Sequence, residues 1–130
     1  METMMPRVLV VDDEEKIAKL VGGYLEASGY AVVLAGDGER ALSAFESEAP
    51  GCVILDVNMP GKDGLEVARE IRERSSAPII FLSARAEEID KVLGLELGGD
   101  DYVTKPFSPR ELAAPVKAAI RGRADAPARQ

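Results

Sequence analysis

The chain has no histidine and one cysteine, Cys52, among 130 residues. Without histidine it lacks the commonest general base and metal ligand at neutral pH. Any chemistry must therefore run on carboxylates, lysine and hydroxyls. A single cysteine excludes an internal disulfide and fits a reducing, cytoplasmic compartment; inside the apolar run Cys52–Leu55 it reads as core. No apolar stretch approaches the roughly 18 residues of a membrane span. There is no signal-peptide pattern either, so no membrane partner is expected. Basic residues are also scarce: 16 Lys plus Arg against 23 Asp plus Glu leaves a net charge of −7. Phosphate contacts need a basic surface, which makes nucleic acid a poor partner for this chain alone. The shortage is uneven. Ser108–Gln130 carries five basic and two acidic residues, so the residues before it hold −10.

What is present is globular. Hydrophobic residues make up 46% and charged residues 30%, the composition of one domain able to bury roughly two-thirds of its surface. Residues 1–6 show no periodicity and read as a loose N-terminus. Arg7–Val11 is a continuous apolar strand that ends in Asp12 and Asp13. Ile17, Leu20, Val21, Tyr24 and Leu25 then recur at helical spacing until Gly29. Tyr30–Ala35 is a second apolar strand, and Glu39–Glu48 a short helix. Cys52–Leu55 is a third strand that stops at Asp56, with Pro60, Gly61 and Gly64 close behind. A helix is expected over Leu65–Arg74, a fourth strand over Pro78–Leu82 ending at Ser83, and a helix carrying Ile89, Val92, Leu93 and Leu97. Tyr102–Thr104 is a short fifth strand ending at Lys105. Ser108-Pro109-Arg110-Glu111 is a capping box that opens the last helix. In that helix Pro115 falls about two turns in, so a kink is expected. The folded domain spans 7–121; residues 122–130 read as a linker or tail.

Strand and helix alternate five times, and the strands are continuously apolar rather than alternating. That pattern predicts an α/β fold with a parallel sheet covered on both faces. Right-handed crossovers leave few topologies. The expectation is a doubly wound five-stranded sheet, order 2-1-3-4-5, flavodoxin-like. Ligands bind such sheets above the point where the winding reverses, here between strands 1 and 3. Asp12 and Asp13 end strand 1, Asp56 ends strand 3, and Ser83 and Lys105 end strands 4 and 5 on the same edge.

Three carboxylates in one crevice repel one another and raise each other's pKa. A divalent cation resolves the conflict, and oxygen ligands suit Mg²⁺, with Mn²⁺ as a substitute. Asp56 is the natural nucleophile, because an aspartate can form an acyl phosphate. The cation and the Lys105 ammonium would neutralise the transferred phosphoryl oxygens, and the Ser83 hydroxyl could donate to another.

The stretches VVDDE, ILDVNMPGKDG, IIFLSA and DDYVTKPF, in that order, resemble the receiver domain of bacterial two-component response regulators. The resemblance runs from Arg7 to Arg121. It implies a switch that accepts a phosphoryl group on Asp56 from a sensor histidine kinase, slowly and reversibly, rather than a conventional enzyme. It further implies Mg²⁺ held by Asp13, Asp56 and the Asn58 backbone carbonyl, with Asp12 acting through water. Ser83 and Lys105 would contact the phosphoryl group, Ser83 and Tyr102 would form the switch, and Lys105-Pro106 matches a peptide bond that is cis in the family.

DKVLGLELGGDDYVTKPFSPREL most resembles receivers of winged-helix transcriptional regulators. There the helix after strand 4, strand 5 and the last helix form a symmetric dimer face on phosphorylation. The matching positions are Lys91, Val92, Leu95, Asp100, Asp101 and Glu111. Two expected arginines are replaced by Pro115 and Gly122, which points to a weakened dimer. DNA would be reached through a C-terminal domain beyond this sequence. Two other classes stay open: a Mg²⁺-dependent aspartyl-phosphate phosphatase, disfavoured by Asn58 where the haloacid dehalogenase type carries an acid, and a receiver-like module that is never phosphorylated.

Overall fold

The computed structural model describes residues 5–84 and 99–125, of which 99–100 and 123–125 by backbone alone. Five strands form one sheet: β1 (Arg7–Val11), β2 (Ala31–Ala35), β3 (Cys52–Asp56), β4 (Ile79–Ser83) and β5 (Gly99–Thr104). Their order is 2-1-3-4-5, and every neighbouring pair is parallel. The expected winding is the observed one. β3 and β4 are buried along their whole length, which is why their sequences are unbroken apolar runs.

Alternate strand residues face opposite sides of the sheet, and two cores result. On one side Leu9, Val53, Leu55 and Phe81 pack with Ala41 and Phe45 of α2 (Gly38–Glu48) and Val67 and Ile71 of α3 (Gly64–Arg72). On the other, Val8, Val10, Ile54 and Ile80 meet Val21 and Leu25 of α1 (Glu15–Ala27) and Val116 of α4 (Ala113–Asp125). The helix starts follow local rules. The Asp37 carboxylate accepts the Arg40 N–H at 2.8 Å, capping α2. Asp63 and Glu66 close a reciprocal capping box on α3, at 3.0 and 3.2 Å. Gly29, at φ +100°, turns the chain after α1 in a conformation that suits glycine. The helix expected around Ile89–Leu97 lies outside the described residues.

Two expectations need correction. β5 starts at Gly99 rather than Tyr102, because its backbone continues to pair with β4 across a register shift between Ile79 and Ile80. The pairing overrides the weak strand preference of Gly99-Asp100-Asp101. The second concerns Pro115. The capping box forms in part as read, with the Ser108 N–H donating to Glu111 Oε2 at 2.7 Å. It opens a 3₁₀ turn (Pro109–Leu112), however, and the α-helix proper begins at Ala113. Pro115 thus falls in the first α-helical turn, where N–H groups lack an α-type partner and proline is tolerated. A proline in the helix interior would cost roughly 3 kcal/mol. We expect Pro115→Ala to change stability by less than about 1 kcal/mol in urea unfolding; a gain near the interior-proline figure would contradict this placement.

Candidate functional site

Main-chain bonds tie the C-terminal tip of β1 to that of β2, and the tips of β3, β4 and β5 to one another. Asp12 N–H donates to the Ala35 carbonyl (3.1 Å), Val57 N–H to Leu82 (2.9 Å), and Lys105 N–H to Ser83 (2.8 Å). These bonds hold the tips level, so their side chains rise into one crevice. Asp12 and Asp56 are each oriented by a local turn: Asp12 Oδ1 accepts the Glu14 N–H at 2.9 Å, and Asp56 Oδ1 the Asn58 N–H at 3.1 Å. Each carboxylate turns its Oδ2 to the Lys105 ammonium.

Carboxylate oxygens of Asp12, Asp13 and Asp56 lie within 4.8 Å of one another. Lys105 Nζ sits 3.2 Å from Asp56 Oδ2, 3.2 Å from Asp12 Oδ2 and 3.5 Å from Glu14 Oε1. Asp12 and Asp56 are buried, with residue exposures of 1% and 2%, and Ser83 is fully buried; Asp13 is exposed. Burial first, and then the charge of Asp12, push the Asp56 carboxyl up from 3.8 to about 6, against the pull of Lys105 and the Asn58 N–H. For Lys105, burial opposes the charged form, but the charges of Asp56 and Asp12 and the hydrogen bond to Asp56 outweigh it and raise the ammonium above its ordinary value. One lysine therefore compensates a larger group of acids incompletely. The buried Oδ2 of Asp12 accepts no hydrogen bond among the described residues, although it faces the ammonium as an ion pair. Clustered hard oxygens with one such atom unsatisfied suit a small divalent cation.

The other expected site residues divide. Asn58 is exposed beside the crevice, its N–H already engaged by Asp56. Tyr102 is 45% exposed and lies in β5, an edge strand of the sheet. The Lys105-Pro106 bond is cis, as the resemblance implies. Asp101 and Glu111 are exposed on the expected dimer face, with the Glu111 carboxylate engaged by the Ser108 N–H. Lys91, Val92 and Leu95 lie outside the described residues, as does the Asp100 side chain. Two further neighbours of the site are not singled out by the sequence motifs. Glu14 is a third carboxylate on Lys105, and its adjacency to Asp12-Asp13 was the available signal. Gly64 approaches Asp56 so closely that a Cβ there would lie 2.2 Å from the Asp56 carbonyl oxygen.

The sequence matches the response regulator receiver domain over residues 8–117. The chain belongs to that family. Over 119 residues it is 55% identical to PhoP, the alkaline phosphatase synthesis transcriptional regulatory protein of Bacillus subtilis, across 91% of this chain and 50% of that one. The chain thus spans half the length of this curated relative. Among solved structures, the chemotaxis protein CheY4 of Vibrio cholerae superposes with a TM-score of 0.82 at 32% identity, covering 89% of this chain and 99% of CheY4. The receiver domain of the Francisella response regulator 1452 gives 0.81 at 36% identity, covering 89% and 97%. Receivers are the phosphoacceptor domains of two-component systems and partners of sensor histidine kinases, and this chain is a signalling receiver rather than a conventional enzyme.

Proposed function

We propose that Asp56 is the phosphoacceptor and that this receiver works as a slow, self-resetting switch. The observation that carries this reading is the buried Asp56 carboxylate, 3.2 Å from the Lys105 ammonium and clustered with Asp12 and Asp13. An Asp56 oxygen attacks phosphorus as the bond to the donor, a kinase phosphohistidine, breaks; the product is an aspartyl phosphate. Lys105 follows the charge onto the phosphoryl oxygens, and the Ser83 hydroxyl donates to one of them. Asp13, Asp56 and the Asn58 backbone carbonyl would hold Mg²⁺ or Mn²⁺, with Asp12 acting through water. Bound there, the cation supplies positive charge against the mutual repulsion of the acids and the phosphoryl oxygens.

The conformational output would run through Ser83 and Tyr102 to the face that carries Asp101 and Glu111, favouring a homodimer that includes Lys91, Val92, Leu95 and Asp100. By analogy with the transcriptional regulator of Bacillus subtilis, that output would act in the cytoplasm on a C-terminal DNA-binding domain. Among the described residues no helix is long and apolar enough to cross a membrane. Incubation with acetyl phosphate and Mg²⁺, followed by intact-mass measurement, tests the assignment. One phosphoryl group is expected on the parent and none on Asp56→Asn or after chelation. Stoichiometric labelling of Asp56→Asn would remove Asp56 from its role.

A further inference from the structure

Lys105 has one neighbour that phosphoryl acceptance on Asp56 does not call for. Glu14 Oε1 lies 3.5 Å from the ammonium, yet the Glu14 side chain is 61% exposed. The Glu14 backbone is fixed at the N-cap of α1: its N–H donates to Asp12 Oδ1 at 2.9 Å, and its carbonyl accepts the Ala18 N–H at 3.0 Å. An N-cap side chain ordinarily turns back onto the free N–H groups of its helix. Glu14 makes no such bond among the described residues. It reaches to the lysine on the far side of the crevice, between two buried acids and solvent.

We propose that Glu14 is a resting tether for Lys105, a positioning residue that competes with the incoming phosphoryl group for the ammonium and slows its acceptance. The proposal rests on the reading of Asp56 as phosphoacceptor. Of the three carboxylates on Lys105, Asp56 becomes the phosphorylated group, and Asp12 belongs to the acid cluster suited to a cation. Glu14 belongs to neither group, and it meets the lysine from the solvent side. Lys105 must leave it in part to follow the charge onto the phosphoryl oxygens. Because Glu14 is largely exposed, its hold is weak and is screened by salt.

A built-in control lies one residue away. Glu15 carries the same charge and is more exposed, but it pairs with Lys19 at 3.5 Å within α1. Glu14→Gln and Glu15→Gln therefore remove equal charge from the approach of an anionic donor, and only the first releases Lys105. The experiment follows phosphoryl transfer from acetyl phosphate to Asp56, with acetate leaving, in saturating Mg²⁺ at low and high salt. Glu14→Gln is expected to accept about two- to fivefold faster at low salt, with the gain lost at high salt; Glu15→Gln should match the parent. Glu14→Ser, which supplies a short capping hydroxyl, should melt no lower than the parent yet share the faster acceptance. A purely structural Glu14 would change stability and leave the rate alone.

The lysine ¹⁵N signals of the metal-free protein give a readout that needs no phosphorylation. The Lys105 ammonium should shift in Glu14→Gln and stay in place in Glu15→Gln. Equal rates for Glu14→Gln and the parent, equal effects of the two substitutions, or an unmoved Lys105 signal would each overturn the tether. A parent that takes up no phosphoryl group would instead remove the reading of Asp56, and the ammonium signal would still decide whether Glu14 holds Lys105.

Discussion

Asp56→Asn should make the metal-free protein more stable by about 2 kcal/mol at pH 7.5 and leave it nearly unchanged at pH 4. The cause is a carboxylate held where it would rather be neutral. The Asp56 carboxyl ionises near 3.8 in the open chain and at about 6 in the fold. Between those values the folded protein keeps a proton that the unfolded chain has lost. Stability from this group therefore falls as pH rises through that window, and the full penalty stands above about pH 6. Taken whole, that rise corresponds to about 3 kcal/mol; water reaching the site on its exposed Asp13 side screens it to about 2. Asparagine removes the charge, keeps an oxygen for the Asn58 N–H, and leaves Lys105 with Asp12 and Glu14. Urea unfolding in EDTA at the two pH values measures the difference. Added Mg²⁺ should close the gap from the other side, because a ligand at a hundred times its Kd stabilises the state it binds by about 2.7 kcal/mol, and the variant has lost one of the three clustered carboxylates. Equal stability of parent and variant at pH 7.5 without metal would show that Asp56 bears no such cost.

The distinction between what the sequence shows and what it hides follows the range of the forces. β1, β3 and β4 could be read because burial on both faces demands unbroken apolar runs such as Val8–Val11 and Cys52–Leu55. Once those strands and their winding were in place, Asp12, Asp13, Asp56, Ser83 and Lys105 had to share an edge, and the structure brings them there. The limits of β5 and the last helix were set by partners instead. Gly99–Asp101 are extended because β4 offers them a ladder. The helix opens as a 3₁₀ turn because Pro115 cannot donate the N–H that an α-helix begun at Pro109 would use. Gly64 was opaque for a further reason: its closeness to the Asp56 carbonyl is a distance that no local pattern encodes, while Glu14 was signalled only by its place next to Asp13.

Gly64→Ala should cost at least about 3 kcal/mol and lower the melting temperature by about 10 °C or more. Gly64 opens α3, and its N–H donates to the Val57 carbonyl at 3.0 Å. A Cβ there would meet the Asp56 carbonyl oxygen at 2.2 Å, the Val57 Cα at 2.8 Å and the Asp56 carbonyl carbon at 2.9 Å. All three are main-chain atoms, so no rotamer can clear them. Relief requires α3 to lift away or the Asp56–Val57 peptide to move. Lifting α3 draws Val67, Ala68 and Ile71, which are fully buried, off the sheet. Moving the peptide disturbs the Val57 N–H bond to Leu82 and with it the tip of β3. Either adjustment reaches Asp56, the proposed phosphoacceptor, so folded Gly64→Ala should also take up phosphoryl groups more slowly than the parent at equal Mg²⁺. Gly23→Ala is the matched control: Gly23 lies within α1, and its added Cβ meets nothing within 4 Å. That change should stabilise by about 0.5–1 kcal/mol, as alanine does in an open helical position. Opposite signs for the two glycines would separate close approach from helix propensity. A Gly64→Ala protein that melts with the parent would mean that α3 and the β3 tip are not packed as tightly as this contact requires.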